Sequence, residues 1–220
     1  MNAHWPTVAI VGAGLIGGSI GRALLARKLA KRVIGVGRSQ ASLDAARRSG
    51  AVTETALDPG AVAEADLVVV ATGVKSIPRL LDAVDQAVRP GTLITDAGST
   101  KASIVAAWEK RRRSRRGRFV GSHPLAGSHR RGPEAADAEL FTGRVAVVTP
   151  SPATPPDDVA AIGEFWSALG ATVFMMSPRE HDRIVATTSH APHVMAAAIA
   201  AATPAAALPF TAGGWRDTTR

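Results

Sequence analysis

Thr7-Val8-Ala9-Ile10-Val11-Gly12-Ala13-Gly14-Leu15-Ile16-Gly17 decides the fold. The first five residues form a short apolar run that ends at Gly12 and reads as a buried strand. The residues that follow, Leu15 to Leu29, are rich in Ala and Leu and long enough for a helix. The junction is GxGxxG, in the strand-then-helix setting that gives the pattern its meaning. Gly12 permits the tight turn, Gly14 lets the backbone approach a pyrophosphate, and Gly17 lets the helix pack closely on the strand. Dinucleotide phosphates then meet the N-terminal end of the helix, where the dipole and the free N–H groups favour anions. Gly12, Gly14 and Gly17, with Leu15 and Ile16 between them, are therefore the candidate cofactor-binding residues.

Outward from this junction, further strands are expected at Val33–Val36, Ala65–Ala71, Thr92–Thr95, Phe119-Val120, Arg144–Val148 and Thr172–Met175. Helices are expected at Ser42–Ser49, Ser76–Val88, Ser103–Arg113 and Pro155–Leu169. The run ADLVVVA (Ala65–Ala71) is apolar on both faces, the pattern of a parallel strand covered from both sides. Strands alternating with helices define an α/β class, here a Rossmann-type doubly wound sheet with right-handed crossovers. After Ser177-Pro178 no further strand is expected, and Arg179–Ala202 reads as one long Ala-rich helical stretch. The expected organisation is a dinucleotide-binding domain over residues 1–177 and the start of an all-α domain over 178–220. One or two helices cannot enclose a core, so this second domain is expected to be incomplete or completed by another chain.

The second strand ends in Gly37-Arg38-Ser39. NAD sites place a carboxylate there for the ribose 2′-hydroxyl. Arg38 and Ser39 suit a 2′-phosphate instead, because a guanidinium forms charge-assisted, bidentate bonds to phosphate. NADP is the expected cofactor, with NAD the alternative.

Composition removes other classes. Hydrophobic residues make up 46% of the chain and charged residues 20%, which excludes wholesale disorder. Cysteine is absent, so disulfides, thiolate metal sites and cysteine nucleophiles are excluded. No apolar stretch is read as reaching the ~18 residues of a membrane span, and the N-terminus lacks a signal-peptide layout, so a cytoplasmic protein with no membrane partner is expected. The net charge of +8 is local: seven cations lie in Lys110–Arg118, leaving +1 elsewhere. That run holds no aromatic residue to stack on bases, and cations complement a helix C-terminus, so no nucleic-acid partner is expected. His190 and His193 are near neighbours on a helix, but His181 is the only nearby third ligand, so no metal is expected either.

Three more segments carry chemistry. DAGSTK (Asp96–Lys101) follows the Thr92–Thr95 strand and so lies at the carboxyl edge of the sheet, where ligands bind in such folds. HPLAGS (His123–Ser128) follows Phe119-Val120, and SHAPH (Ser189–His193) opens the Ala-rich helix. With GAGLIGGS (Gly12–Ser19) before them and GGWRDTTR (Gly213–Arg220) after, in that order, the chain resembles the prephenate/arogenate dehydrogenase family of tyrosine biosynthesis. The resemblance covers essentially the whole chain. It implies a nucleotide-binding domain followed by a helical dimerisation domain, and hence a homodimer. It also implies oxidative decarboxylation of prephenate to 4-hydroxyphenylpyruvate, with hydride transfer to NAD(P)+. Arogenate dehydrogenation, or nucleotide binding without activity, are the alternatives.

Carried over residue by residue, the resemblance makes His123 the catalytic histidine. A neutral imidazole, ordinarily titrating near ~6.5, can accept the proton of the ring 4-hydroxyl. It makes Ser99 a hydrogen-bond partner of that histidine or of the hydroxyl, although Ser99 or Thr100 could also simply cap the next helix. Ser128, Ser189 and His193 fall at the implied substrate pocket. Arg220 matches the arginine that binds the substrate carboxylate, a role suited to its planar fork. One position departs from the family: His129 stands where many members have an acidic residue. A histidine offers no fixed negative charge to the ammonium group of arogenate, so prephenate is the expected substrate.

Overall fold

The computed structural model describes residues 5–110 and 115–219. The chain divides into two compact units, Met1–Pro178 and Arg179–Arg220.

The first unit is built on eight strands: β1 (Thr7–Val11), β2 (Arg32–Val36), β3 (Glu54–Ala56), β4 (Leu67–Val70), β5 (Leu93–Asp96), β6 (Arg118–Pro124), β7 (Val145–Thr149) and β8 (Thr172–Met175). They form one sheet in the order β3-β2-β1-β4-β5-β6-β7-β8. Five helices alternate with them: α1 (Leu15–Ala26), α2 (Gln40–Arg48), α3 (Ile77–Ala87), α4 (Ala102–Glu109) and α5 (Pro156–Ala168). From β1 the chain first winds one way to β3, then returns to β4 on the other side and winds away. The reversal leaves a crevice at the carboxyl ends of β1 and β4, the switch point where open α/β sheets bind ligands.

Both faces of the central strands are covered. Val8, Ile10, Leu67 and Val69 pack with Ile20 and Leu24 of α1 and Phe165 and Trp166 of α5. Ala9, Val11, Val68 and Val70 point the other way and pack with Leu81 and Val84 of α3 and Ile104 and Trp108 of α4. This two-sided burial is why β4 reads as an unbroken apolar run rather than an alternating one. Trp166 stands edge-on to Phe165 and Phe141, with ring centroids 5.1 and 5.4 Å away. Each such pair contributes about 0.5–1.5 kcal/mol beyond area burial.

The α/β reading holds, with local differences. β3 has only three residues and no apolar pattern, so it was not legible. It pairs with β2 beside a two-bond contact from the Arg32 guanidinium to Glu54, at 2.8 and 2.9 Å. β7 runs antiparallel to β6. Between them lies only a short 3-10 turn at Pro133–Ala135, not the crossover helix that usually joins parallel neighbours. Helix α4 stops at Glu109, short of the expected Arg113, and Arg111–Arg113 lie outside the described residues.

The second unit is helical: α6 (Pro178–Val185), a π turn at Ala186–His190, α7 (Ala191–Ala202), a 3-10 turn at Ala205–Phe210 and α8 (Gly213–Thr219). Trp215 Nε1 donates to Thr203 Oγ1 at 2.8 Å and fastens α8 to the end of α7. The run Pro178–Ala202 has 25 residues and contains an 18-residue stretch of mean hydropathy 1.2, long and apolar enough by those measures to cross a membrane. This corrects the expectation that no segment reaches such a length. The composition reflects the apolar residues of α7, where Val194 and Met195 are exposed.

Candidate active site

The glycine turn is built as its chemistry requires. Gly12 has φ +98°, and a Cβ there would lie 2.7 Å from both the Ala71 carbonyl oxygen and Thr72 Cγ2. A Cβ on Gly17 would lie 2.1 Å from the Gly12 oxygen, so only glycine lets α1 start this close to β1. Gly14 is different: a Cβ there would meet nothing within 4 Å. The space over Gly14 is open, as a pyrophosphate cradle must be.

That space belongs to a cleft of about 330 Å³, whose lining includes Gly12, Gly14, Arg38, Ser39, Thr72 and Arg79. Thr72 Oγ1 is buried and has no hydrogen-bond partner, an orphan that a bound nucleotide could satisfy. The open cradle and this orphan fit a dinucleotide. Leu15 and Ile16 stand in the first turn of α1 and are not among the lining residues. Ser39 is the N-cap of α2, its Oγ accepting from the Ser42 N–H at 3.4 Å.

Beyond β4, the same sheet edge carries a buried polar network. Asp96 ends β5, and Lys101 precedes α4; both side chains are fully buried and form an ion pair. Lys101 Nζ also donates to the Ser122 carbonyl at 2.8 Å. Asp96 accepts from the Gly98 N–H at 2.8 Å and from the Ser122 N–H at 3.2 Å. Ser122 Oγ donates to the Asp96 carbonyl at 2.6 Å and accepts from Trp166 Nε1 at 2.9 Å. Burial pushes the Asp96 carboxyl up from its ordinary value, and the Lys101 ammonium and the two N–H groups pull it back. Buried charges persist where such extra bonds compensate lost hydration.

The network fixes both peptide groups of Ser122, and the next residue is His123. His123 is partly exposed near the carboxyl end of β6, opposite Val147 of β7. Ser99 is exposed in the loop between Asp96 and Lys101. The N-cap position of α4 is held by Lys101, whose own side chain makes no capping bond, so neither Ser99 nor Thr100 is the N-cap residue. Because β1, β4, β5 and β6 are parallel, the glycine turn, Thr72, Ser99 and His123 share one sheet edge.

The remaining candidates belong to other elements. Ser128 and His129 are exposed in the loop after β6, and Ser128 Oγ accepts from the Arg130 N–H at 3.2 Å. Ser189 and His193 belong to the second unit, where His193 Nδ1 lies 2.8 Å from the Ser189 carbonyl. A carbonyl only accepts, so Nδ1 carries the proton in this contact. Arg220 lies outside the described residues. Sequence reasoning assigned no task to Asp96, Lys101, Ser122 or Trp166. The available signal was an aspartate and a lysine at the two ends of an otherwise small-residue strand-to-helix junction, Asp96–Lys101.

The fold and the cleft define a dinucleotide-binding protein. Residues 20–175 match the family model described as prephenate dehydrogenase, nucleotide-binding domain. Residues 177–220 match the one described as prephenate dehydrogenase, dimerization domain. The chain belongs to the prephenate dehydrogenase family. It is 35% identical to a prephenate dehydrogenase of Bacillus subtilis, over 100% of this chain and 61% of that protein. It is 34% identical to a cyclohexadienyl dehydrogenase of Zymomonas mobilis, over 97% of this chain and 75% of that protein. A crystal structure of prephenate dehydrogenase from A. aeolicus, in complex with hydroxyphenyl propionate and NAD+, superposes with a TM-score of 0.86. The identity is 28%, covering 97% of this chain and 77% of that one. The chain thus spans about three fifths of the length of the Bacillus subtilis relative.

Proposed function

We propose that this chain acts as a prephenate dehydrogenase, converting prephenate to 4-hydroxyphenylpyruvate and carbon dioxide with NADP+ in preference to NAD+. The observation that carries the reading is the shared sheet edge, where the open glycine cradle and His123, held through Ser122 by Asp96 and Lys101, both stand. Bound along Gly12, Gly14 and Gly17, a nicotinamide dinucleotide would supply the hydride acceptor.

His123 accepts the proton of the ring 4-hydroxyl as hydride leaves the same carbon, and Ser99 hydrogen-bonds the histidine or that hydroxyl. Loss of the ring carboxylate as carbon dioxide then leaves an aromatic ring. Arg220 pairs with a substrate carboxylate, and Ser128, Ser189 and His193 contact the substrate. His129 offers no fixed negative charge to an ammonium group, which favours prephenate over arogenate. Arg38 and Ser39, in a cleft lining without carboxylates, favour NADP+. The family match over residues 177–220 supports a homodimer.

The test is steady-state reduction of each cofactor with each substrate. The expected result is the highest kcat/KM for prephenate with NADP+. A preference for arogenate overturns the reading of His129, and a preference for NAD+ overturns that of Arg38. Cofactor binding with no turnover of either substrate would leave a nucleotide-binding protein in place of an enzyme.

A further inference from the structure

The dinucleotide cleft has two walls. One is the corner from β2 to α2, with Arg38, Ser39 and Ser42; the other is the corner from β4 to α3, with Ser76 and Arg79. Strands β2 and β4 flank β1, so these corners lie on either side of the glycine turn. The lining holds two arginines and no carboxylate. Among the described residues, neither arginine makes a hydrogen bond or ion pair. Other arginines of this unit do pair: Arg27 with Glu139, Arg32 with Glu54 and Arg89 with Asp66.

We infer that Arg79 is a second specificity residue for the cofactor, a cation that meets the adenosine 2′-phosphate from the wall opposite Arg38. The inference rests on the NADP reading above and extends it. NADP+ differs from NAD+ by one phosphomonoester, whose charge near neutral pH is about −1.5 to −2. One guanidinium leaves part of that charge to water, whereas two cations on facing walls satisfy more of its oxygens. Against the neutral 2′-hydroxyl of NAD+, the second cation has little to hold. Arg79 therefore acts on the difference between the two cofactors.

The experiment is calorimetric titration of the chain and its Arg79→Gln and Arg38→Gln variants with 2′,5′-ADP, 5′-AMP, NADP+ and NAD+. Arg79→Gln is expected to weaken 2′,5′-ADP and NADP+ about tenfold or more, with 5′-AMP and NAD+ changed less than about threefold. Arg79→Lys, which keeps the charge without the fork, is expected to fall between. Arg79 is exposed, so unchanged 5′-AMP affinity also reports an intact cleft. Equal weakening of both cofactors by Arg79→Gln, or no weakening of either, overturns the inference while the NADP reading stands. A native chain that binds NAD+ more tightly than NADP+ overturns that reading and the inference with it.

Discussion

Lys101 Nζ donates to the Ser122 carbonyl across 2.8 Å, in a site where Lys101 and Ser122 are both wholly buried. Since Ser122 directly precedes His123, a lysine with no access to solvent governs the backbone that presents the histidine. Lys101→Met removes the partner of a fully buried carboxylate. Breaking a buried pair from one side typically costs about 3–5 kcal/mol. Urea unfolding of Lys101→Met is expected to show a loss of that size. The double variant Asp96→Asn with Lys101→Met is expected to recover part of it, because no lone charge remains.

His123 is the residue on which chemistry should depend most. A positioned general base contributes typically about 10²–10⁴-fold to rate. His123→Asn is expected to lower kcat by that order while NADP+ affinity, measured separately by titration, stays within about threefold. Loss of cofactor binding with kcat unchanged would assign His123 to the wrong step.

Two glycines of one motif should fail in opposite ways. Gly14→Ala places a methyl in the open space over the turn, so cofactor affinity is expected to fall with thermal stability nearly unchanged. Gly17→Ala places one 2.1 Å from the Gly12 oxygen, so the fold itself is expected to weaken. Melting curves and cofactor titrations of the two variants together separate these outcomes.

The edge pair makes a pH prediction. Its hydrogen bond to Arg32 holds the Glu54 carboxyl below its ordinary value. A carboxylate with a depressed folded value contributes stability that is present above its unfolded value, near ~4.3, and is lost as pH falls through the folded one. The pair is exposed, so the effect is small and screened by salt. NMR titration is expected to show Glu54 returning to the ordinary value in Arg32→Gln.

The main architecture was legible because the core strands carry their own evidence. β1 and β4 are buried on both faces, and that forces continuous apolar runs in the sequence. β3 was not legible, since a three-residue edge strand with one exposed face needs no such run. The direction of β7 was also hidden, because alternation of side chains is the same in parallel and antiparallel strands. At the site, Gly12 and Gly17 were readable from steric need alone. Arg79 was not, because its place in the cleft follows from the sheet order and not from a local motif. The task of Lys101 was hidden for a similar reason: its partner Ser122 lies 21 residues away in sequence.

The most direct test of the central claim is the stoichiometry of carbon dioxide released to nicotinamide reduced when the chain is given prephenate and NADP+. The account predicts equal amounts, with 4-hydroxyphenylpyruvate as the organic product. Tightly bound NADP+ that yields neither carbon dioxide nor reduced cofactor would contradict it.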